Sequence, residues 1–152
     1  MKIYFDTCCF GRPSDNQTQA SIRAETTSIM NAINICEIEG FPIIGSPILK
    51  IEISRIPDDK TRKTVMGFYT NTVTKKTAMS VEAEARASTL QAGGLRKMDS
   101  YHTALAESAG VVYLLTTDPK FVNAAKKLDM KVKVINPIEF LQEYIKWLEM
   151  SV

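Results

Sequence analysis

The chain has 152 residues, of which 45% are hydrophobic and 24% are charged, and its formal net charge is +2. This length is enough for one domain with its own core, and the composition is ordinary for a soluble globular protein. The composition excludes a membrane span, since no stretch approaches ~20 apolar residues. Asp6 interrupts the first apolar run, so we expect no signal peptide and a cytoplasmic protein.

The cysteine pattern argues against a disulfide or zinc framework. The three cysteines are Cys8, Cys9 and Cys36, an odd count with two members adjacent. Adjacent cysteines match neither a paired disulfide set nor the spacing of a Cys-x-x-Cys metal site. We therefore expect small, buried, unpaired thiols in a reducing compartment.

The first quarter of the chain predicts a strand, a loop and a long helix. Residues 2–6 read as a buried strand that ends on the carboxylate of Asp6. A loop, "GRPSD", follows, and the longer segment "CCFGRPSDNQ" either shapes substrate entry or is a simple surface loop. Apolar residues then recur at helical spacing up to a stop at Gly40; they are Ile22, Ile29, Ile33 and Cys36.

The second quarter contains one ambiguous segment. "FPIIGSP" predicts a short buried strand bounded by prolines. "ILKIEISRI", which contains Glu52, alternates like a strand but also suits the start of a helix. Asp58 then suits the N-cap of a helix. That helix would carry Val65, Met66, Tyr69 and Val73 on one face.

The third quarter predicts a short extended piece near "KKTAMS" and two helices. The first helix covers residues 81–91 and is closed by Gly93 and Gly94. The second covers residues 99–109 and ends at Gly110.

The last quarter alternates strands with helices. "VVYLLTT" lacks polar alternation, so both of its faces should be covered, as in a parallel sheet. Asp118 and Pro119 open the next helix, and "VKVI" is the last strand. Asn136 caps a C-terminal helix whose predicted inward face is formed by Ile138, Leu141, Ile145 and Leu148.

This order of elements predicts one α/β domain over residues 1–152, a three-layer sandwich with a central, mainly parallel sheet flanked by helices. Functional sites in such sheets gather at the carboxyl ends of the strands. Asp6 and Asp118 each follow a predicted strand, so we expect them at one edge of the sheet.

Four acids stand out, Asp6, Glu52, Asp99 and Asp118. Carboxylates that cluster without a counterion raise one another's pKa and cost stability, whereas Mg²⁺ or Mn²⁺ suits an oxygen-rich site. Each acid also has a structural alternative. Asp99 and Asp118 would serve as helix caps, and Glu52 would lie on a solvated helix face.

Asp6 has a different alternative, a structural ion pair with Arg12 or Arg23, since an unpaired charge at the end of a core strand is costly. Glu25 and Glu37 are alternatives to Glu52, although their place in the first long helix favours solvent exposure.

The chain resembles the PIN-domain family of metal-dependent nucleases over nearly its whole length. The matching stretches are "KIYFDTCCF", "SPILKIEI", "KMDSYHTALAESAGVVYLLTTDPKF" and "VINPIEFL". The resemblance implies that Mg²⁺ or Mn²⁺ is held by Asp6, Glu52, Asp99 and Asp118, with Thr116 supporting the site. Either one or two ions would bind.

Several neighbouring residues receive lesser roles from the same resemblance. Thr7 occupies a position where a small polar residue is usual, and Asn123 is not counted as a ligand. His102, the only histidine, lies one turn into its helix, where packing or hydrogen bonding is favoured over a general-base role.

The implied activity is hydrolysis of an RNA phosphodiester, in which a metal-activated water attacks phosphorus in line and leaves a 5′-phosphate. Arg12 and the basic stretches "KTRK", "TKK" and "LRK" are candidates to hold the RNA backbone, and each also suits a solvated surface. The balanced charge predicts modest salt dependence.

The resemblance extends to small VapC-type toxins, RNases restrained by a cognate antitoxin and usually homodimeric. The C-terminal helix with Tyr144 and Trp147 would supply part of a dimer interface, unless Trp147 fills the core. One alternative is a PIN-like module that binds RNA or a protein without cutting. Another, a phosphatase with an aspartate nucleophile, is disfavoured because Cys8 stands where its second aspartate would be.

Overall fold

A computed structural model describes residues 1–152, and its centre is a parallel sheet. Strand β1 (Lys2–Phe5) pairs with β4 (Val111–Leu115), which pairs with β5 (Lys133–Ile135). Strands β2 (Ile44–Gly45) and β3 (Lys75–Lys76) pair with each other, and β2 adjoins β1 through a parallel bridge between Ile3 and Ile43. All of these pairings are parallel, as the covered strands predict.

Eight α-helices flank the strands, which confirms the predicted α/β sandwich. They are α1 (Thr7–Gly11), α2 (Ala20–Glu39), α3 (Pro47–Ser54), α4 (Asp59–Thr72), α5 (Val81–Ala92), α6 (Lys97–Ser108), α7 (Pro119–Ala125) and α8 (Pro137–Met150). Helix α5 packs on α6, and α2 packs on α8. No helix has both the length and the apolar character needed to cross a bilayer.

The helix boundaries follow local signals. The side chains of Asp58, Asp118 and Asn136 cap α4, α7 and α8, as predicted. Gly40 ends α2 with φ of 71°, a left-handed conformation that glycine adopts without strain. The ambiguous segment that contains Glu52 is helix α3, because Ser46 caps it and Pro47 occupies its first turn.

The predicted loop after the first strand is wrong for residues 8–11, which are helical, and is confirmed for the connection that follows them. Helix α1 begins directly at Thr7, and a 3-10 turn (Arg12–Ser14) follows it. Asp6 therefore stands between strand and helix, where its carboxylate accepts the backbone N–H of Thr7. Cys9 and Phe10 are buried, so the segment contributes to the core.

The predicted inward face of α8 is also wrong for three of its four residues. Ile138, Ile145 and Leu148 are 39%, 55% and 39% exposed. The helix instead buries Phe140, which packs edge-on against Tyr113. Burying an aromatic ring removes more apolar area from water than burying an aliphatic side chain, so the aromatic residues set the rotation of this helix.

Val112 and Trp147 are less buried than predicted. Val112 of β4 is 41% exposed, because it borders a surface hollow beside β5 instead of lying under a helix. Trp147 is 37% exposed and packs on Phe41 and Tyr144, so it covers the edge of the core without filling it. Cys8, Cys9 and Cys36 are free thiols. Cys9 and Cys36 are buried, as expected, whereas Cys8 is only partly buried and borders the cleft described below.

Candidate metal centre

The four predicted acids line one cleft. Asp6 follows β1, Glu52 lies on α3, Asp99 lies in the first turn of α6, and Asp118 precedes α7. The cleft has a volume of about 410 Å³, and Arg96 and Lys97 are also in its lining. Strands β1 and β4 are parallel neighbours, so the residues that follow them emerge at the same edge of the sheet.

Asp6 forms the buried floor of the cleft. Its Oδ1 accepts the Thr7 N–H at 2.8 Å, and its Oδ2 accepts the Thr116 hydroxyl at 2.8 Å. The proposed ion pair with Arg12 or Arg23 is absent. Arg12 contacts Asp15, Glu25 and Thr117 instead, and Arg23 donates to backbone carbonyls.

Glu52 is fixed by two side chains. The Thr7 hydroxyl donates to its Oε1 at 2.6 Å, and the same oxygen is in close contact with Nε2 of His102. This arrangement is not that of a solvated helix face. Burial raises the pKa of Glu52, but the His102 hydrogen bond and charge and the Thr7 hydrogen bond outweigh it and leave the pKa below its ordinary value.

His102 is fully buried beneath these two acids. Its Nε2 lies 3.4 Å from Asp6 Oδ1, and its Nδ1 lies 2.6 Å from the hydroxyl of Tyr4. Burial lowers the pKa of His102, but the hydrogen bond to Glu52 and the nearby carboxylates favour the charged ring, so that the pKa is raised overall. The predicted hydrogen-bonding role for this histidine agrees with these contacts.

A line of hydrogen bonds continues from His102 away from the cleft. The hydroxyl of Tyr4 also lies 2.7 Å from Oγ of Ser46, and that Oγ accepts the N–H of Leu49 in α3. The line joins β1, α6 and the start of α3, which is the helix that carries Glu52. Nothing in the local sequence signals this connection, because its members are far apart along the chain.

Asp118 combines capping with a second contact. Its Oδ1 accepts the N–H of Lys120 at 3.0 Å, and its Oδ2 is in close contact with a guanidinium nitrogen of Arg96. Burial raises its pKa, but Arg96 and the capping N–H outweigh burial and leave the pKa lowered. One oxygen of this carboxylate thus caps α7, and the other pairs with Arg96.

Asp99 does not cap its helix, because α6 begins at Lys97, two residues before the predicted start. Its Oδ2 accepts Nε–H of Arg96 at 3.0 Å. Burial, together with the charge of Asp6, raises the pKa of Asp99 from 3.8 to about 6 despite the Arg96 contact. Asp99 is therefore the acid of the cleft whose charged form would gain most from an additional cation nearby.

Removing the Asp99 charge should stabilise the metal-free protein at neutral pH. A folded pKa of about 6 against 3.8 in the unfolded chain means that the folded state binds more protons between these values. The charge of Asp99 therefore destabilises the folded state increasingly as pH rises towards 6, and this destabilisation is lost in acid. We expect the stability of the native protein relative to Asp99→Asn to fall by about 1 kcal/mol between roughly pH 5 and pH 7.5.

This prediction is checked by denaturant unfolding of both chelated proteins across that pH range. Asp59→Asn is the matched control, because Asp59 is also a first-turn acid with an arginine three residues away but is well exposed. An equal pH dependence for the two variants would contradict a strained Asp99.

The remaining candidates lie elsewhere. Glu37 is exposed, and Glu25 pairs with Arg12 and accepts from Asn136, so neither joins Asp6. Asn123 is exposed and borders a neighbouring hollow. Arg96, which lies between two acids, was not among the predicted site residues, although its spacing of three residues from Asp99 at the start of a helix is a recognisable signal.

The donor atoms fit a divalent metal ion. One ligand atom each from Asp6, Glu52 and His102 lie within 4.8 Å of one another. Asp99 and Asp118 border the same cleft and share one cation, Arg96. Converging carboxylates, one of them with a raised pKa, are the setting that a hard dication stabilises.

Comparison with known proteins supports the fold. No protein-family model matches this sequence, and no curated protein matches it. A chain of FitAcB from Neisseria gonorrhoeae aligns with 89% of this chain and 97% of its own length, with a TM-score of 0.56 and 14% identity. A chain of VapBC2 from Rickettsia felis, in a structure bound to a promoter DNA fragment, aligns with 90% of this chain and 98% of its own length. Its TM-score is 0.61, and its sequence identity is 12%.

Proposed function

The chain has a PIN-like fold, and we propose that it is a single-domain, metal-dependent endoribonuclease that hydrolyses phosphodiester bonds of RNA. One observation carries the proposal. Four carboxylates from four separate elements border one cleft, where Asp99 has a raised pKa and Arg96 is shared between two acids. A cluster of this kind is costly unless a cation is part of its function.

The residues that would hold Mg²⁺ or Mn²⁺ are Asp6, Glu52, Asp99 and Asp118. When bound, such an ion lowers the pKa of a coordinated water and stabilises the charge that develops on phosphate oxygens. The oxygen-rich set of carboxylates favours these hard ions, while His102 holds Glu52 from beneath the cleft.

The protein's own contribution is to orient these carboxylates before substrate arrives. Thr116 and the Thr7 N–H fix the two oxygens of Asp6, and Thr7 and His102 fix Glu52. The Thr116 hydroxyl also accepts the N–H of Asp118 at 3.2 Å and so joins the two strand-end acids. Carboxylates that are already held by hydrogen bonds can bind a metal ion with little rearrangement of their side chains.

RNA would approach through the open side of the cleft. Among the basic stretches, only "LRK" contributes to the lining, through Arg96 and Lys97, while Arg12 is engaged with acids and Thr117. The cleft has few cations to contact phosphates, so a modest salt dependence follows.

We also propose a cognate antitoxin and a homodimer as partners. The structural similarity to a chain of VapBC2 supports an antitoxin partner. The C-terminal helix leaves Ile145 and Leu148 exposed, at 55% and 39%, which suits a contact with a second copy of the chain.

The alternative function is a PIN-like module that binds RNA or a protein without cutting. One observation favours it. Arg96 already contacts Asp99 and Asp118, and in a non-catalytic module it would be their permanent counterion.

Titration with Mn²⁺ discriminates between the two functions. A ligand that binds only the folded state stabilises it by RT ln(1 + [L]/Kd), about 2.7 kcal/mol at a hundredfold excess over Kd. At that excess of Mn²⁺ we expect the Tm of the chelated protein to rise by about 5–10 °C. We also expect single-stranded RNA to be cleaved only when Mn²⁺ or Mg²⁺ is present. A Tm that does not respond to either ion would favour the binding module.

A further inference from the structure

Arg96 contacts the oxygen of Asp118 that a metal ion would need. Asp118 Oδ1 is committed to the cap of α7, where it accepts the N–H of Lys120. The remaining oxygen, Oδ2, contacts Arg96. Ligation through the oxygen that does not cap the helix therefore competes with the arginine.

The same guanidinium reaches the second acid. Nε of Arg96 donates to Asp99 Oδ2 at 3.0 Å, while its Nη2 contacts Asp118. The guanidinium of Arg96 thus bridges the carboxylate of Asp99 in α6 and that of Asp118 before α7, through Nε and Nη2. It supplies one positive charge between two negative ones.

The side chain of Arg96 is largely exposed, whereas its backbone is held by the start of α6. The backbone carbonyl accepts the N–H and the hydroxyl of Ser100 at the start of α6. The side chain is 57% exposed, and its only polar contacts are with the two aspartates. Exposed ion pairs are weak, so a dication that gains several carboxylates can displace this one.

We propose that Arg96 is the internal counterion of the metal centre: it occupies Asp99 and Asp118 when no metal is bound, and it must release Asp118 Oδ2 when a dication enters. This rests on the proposed function and deepens it, because Arg96 then sets the metal concentration at which the centre fills.

Isothermal titration of the chelated protein with Mn²⁺ tests the proposal through Arg96→Gln. Loss of a competing guanidinium should lower the Kd for Mn²⁺ about tenfold. Lys97→Gln is the matched control, because Lys97 borders the same cleft, carries the same charge and contacts neither aspartate. We expect that variant to change the Kd by about twofold or less, through long-range electrostatics alone.

Thermal unfolding supplies a second readout. Without metal, Arg96→Gln should have a lower Tm than the native protein, since Asp99 and Asp118 lose their shared cation. In saturating Mn²⁺ the difference should vanish or reverse, because the arginine is already displaced in the native protein. An arginine with a merely structural role would lower Tm equally in both conditions.

The outcomes separate this proposal from the proposed function. If the native protein binds Mn²⁺ and Arg96→Gln binds it no more tightly than Lys97→Gln does, the counterion role is overturned and the metal centre stands. Weaker binding by Arg96→Gln also overturns it. If none of the three proteins binds Mn²⁺, the metal centre itself fails, and this inference fails with it.

Discussion

The substitutions Asp6→Asn and Asp118→Asn are each expected to reduce Mn²⁺-dependent cleavage of single-stranded RNA by about 10³-fold or more. A metal ion contributes several kcal/mol of transition-state stabilisation, and about 4 kcal/mol corresponds to roughly that factor in rate. Asp6 is the most buried of the four acids, and Asp118 borders the same cleft. Under the proposed mechanism, neutralising either acid removes a metal ligand.

Both variants should remain folded. Asp6 and Asp118 accept a capping N–H through Oδ1, and asparagine caps helices about as well as aspartate. The Thr116 hydroxyl, which donates to Asp6 Oδ2, can rotate to accept from an amide instead. We expect each Tm to stay within about 4 °C of the native value, a change of about 1 kcal/mol.

Asp58→Asn is the matched control for these two variants. Asp58 is also an N-cap aspartate, accepting the N–H of Thr61 at 2.8 Å, but it is exposed and lies outside the cleft. Its cleavage rate should equal that of the native protein. Full cleavage by either cleft variant, or by the native protein in excess EDTA, would refute the metal mechanism.

Tyr4→Phe should be the most damaging of the conservative changes to the supporting hydrogen bonds. The substitution keeps the ring but removes the hydroxyl that lies between Ser46 and His102. Nδ1 of His102 would then be buried without a partner, which costs about 1–3 kcal/mol. We expect a decrease in Tm of about 4–8 °C for a loss of about 2 kcal/mol.

A functional effect should accompany the loss of stability. His102 positions Glu52, so a ring no longer held at Nδ1 leaves that carboxylate less well oriented. Loss of such a supporting contact typically costs about 10–100-fold in activity or metal affinity, and we expect about tenfold in the Mn²⁺ Kd or in the cleavage rate.

The control is Tyr113→Phe, in which a partly exposed hydroxyl loses only a 3.4 Å contact with Glu143. That change should cost less than about 0.5 kcal/mol and leave Mn²⁺ affinity unaltered. An equal loss of stability in both variants would show that the buried line of hydrogen bonds contributes little.

Local signals predicted most of the fold. The apolar strands, the caps at Asp58, Asp118 and Asn136, and the stop at Gly40 were readable because each depends on residues within four positions. Where two local signals competed, the prediction failed. Residues 7–11 lead directly into the turn residues of "GRPSD", yet they form a helix because the Asp6 side chain caps it and Phe10 is buried.

The acids could be picked out from local sequence, because burying an unpaired carboxylate directly after a core strand costs free energy. The order of elements also indicated that Asp6 and Asp118 share one edge, because parallel strands end together. The contacts of each acid, in contrast, depend on the packed fold. The bond between Glu52 and His102 joins residues 50 positions apart, and Arg96 meets Asp118 across 22. Such contacts depend on how helices pack against one another, which no short stretch of sequence encodes.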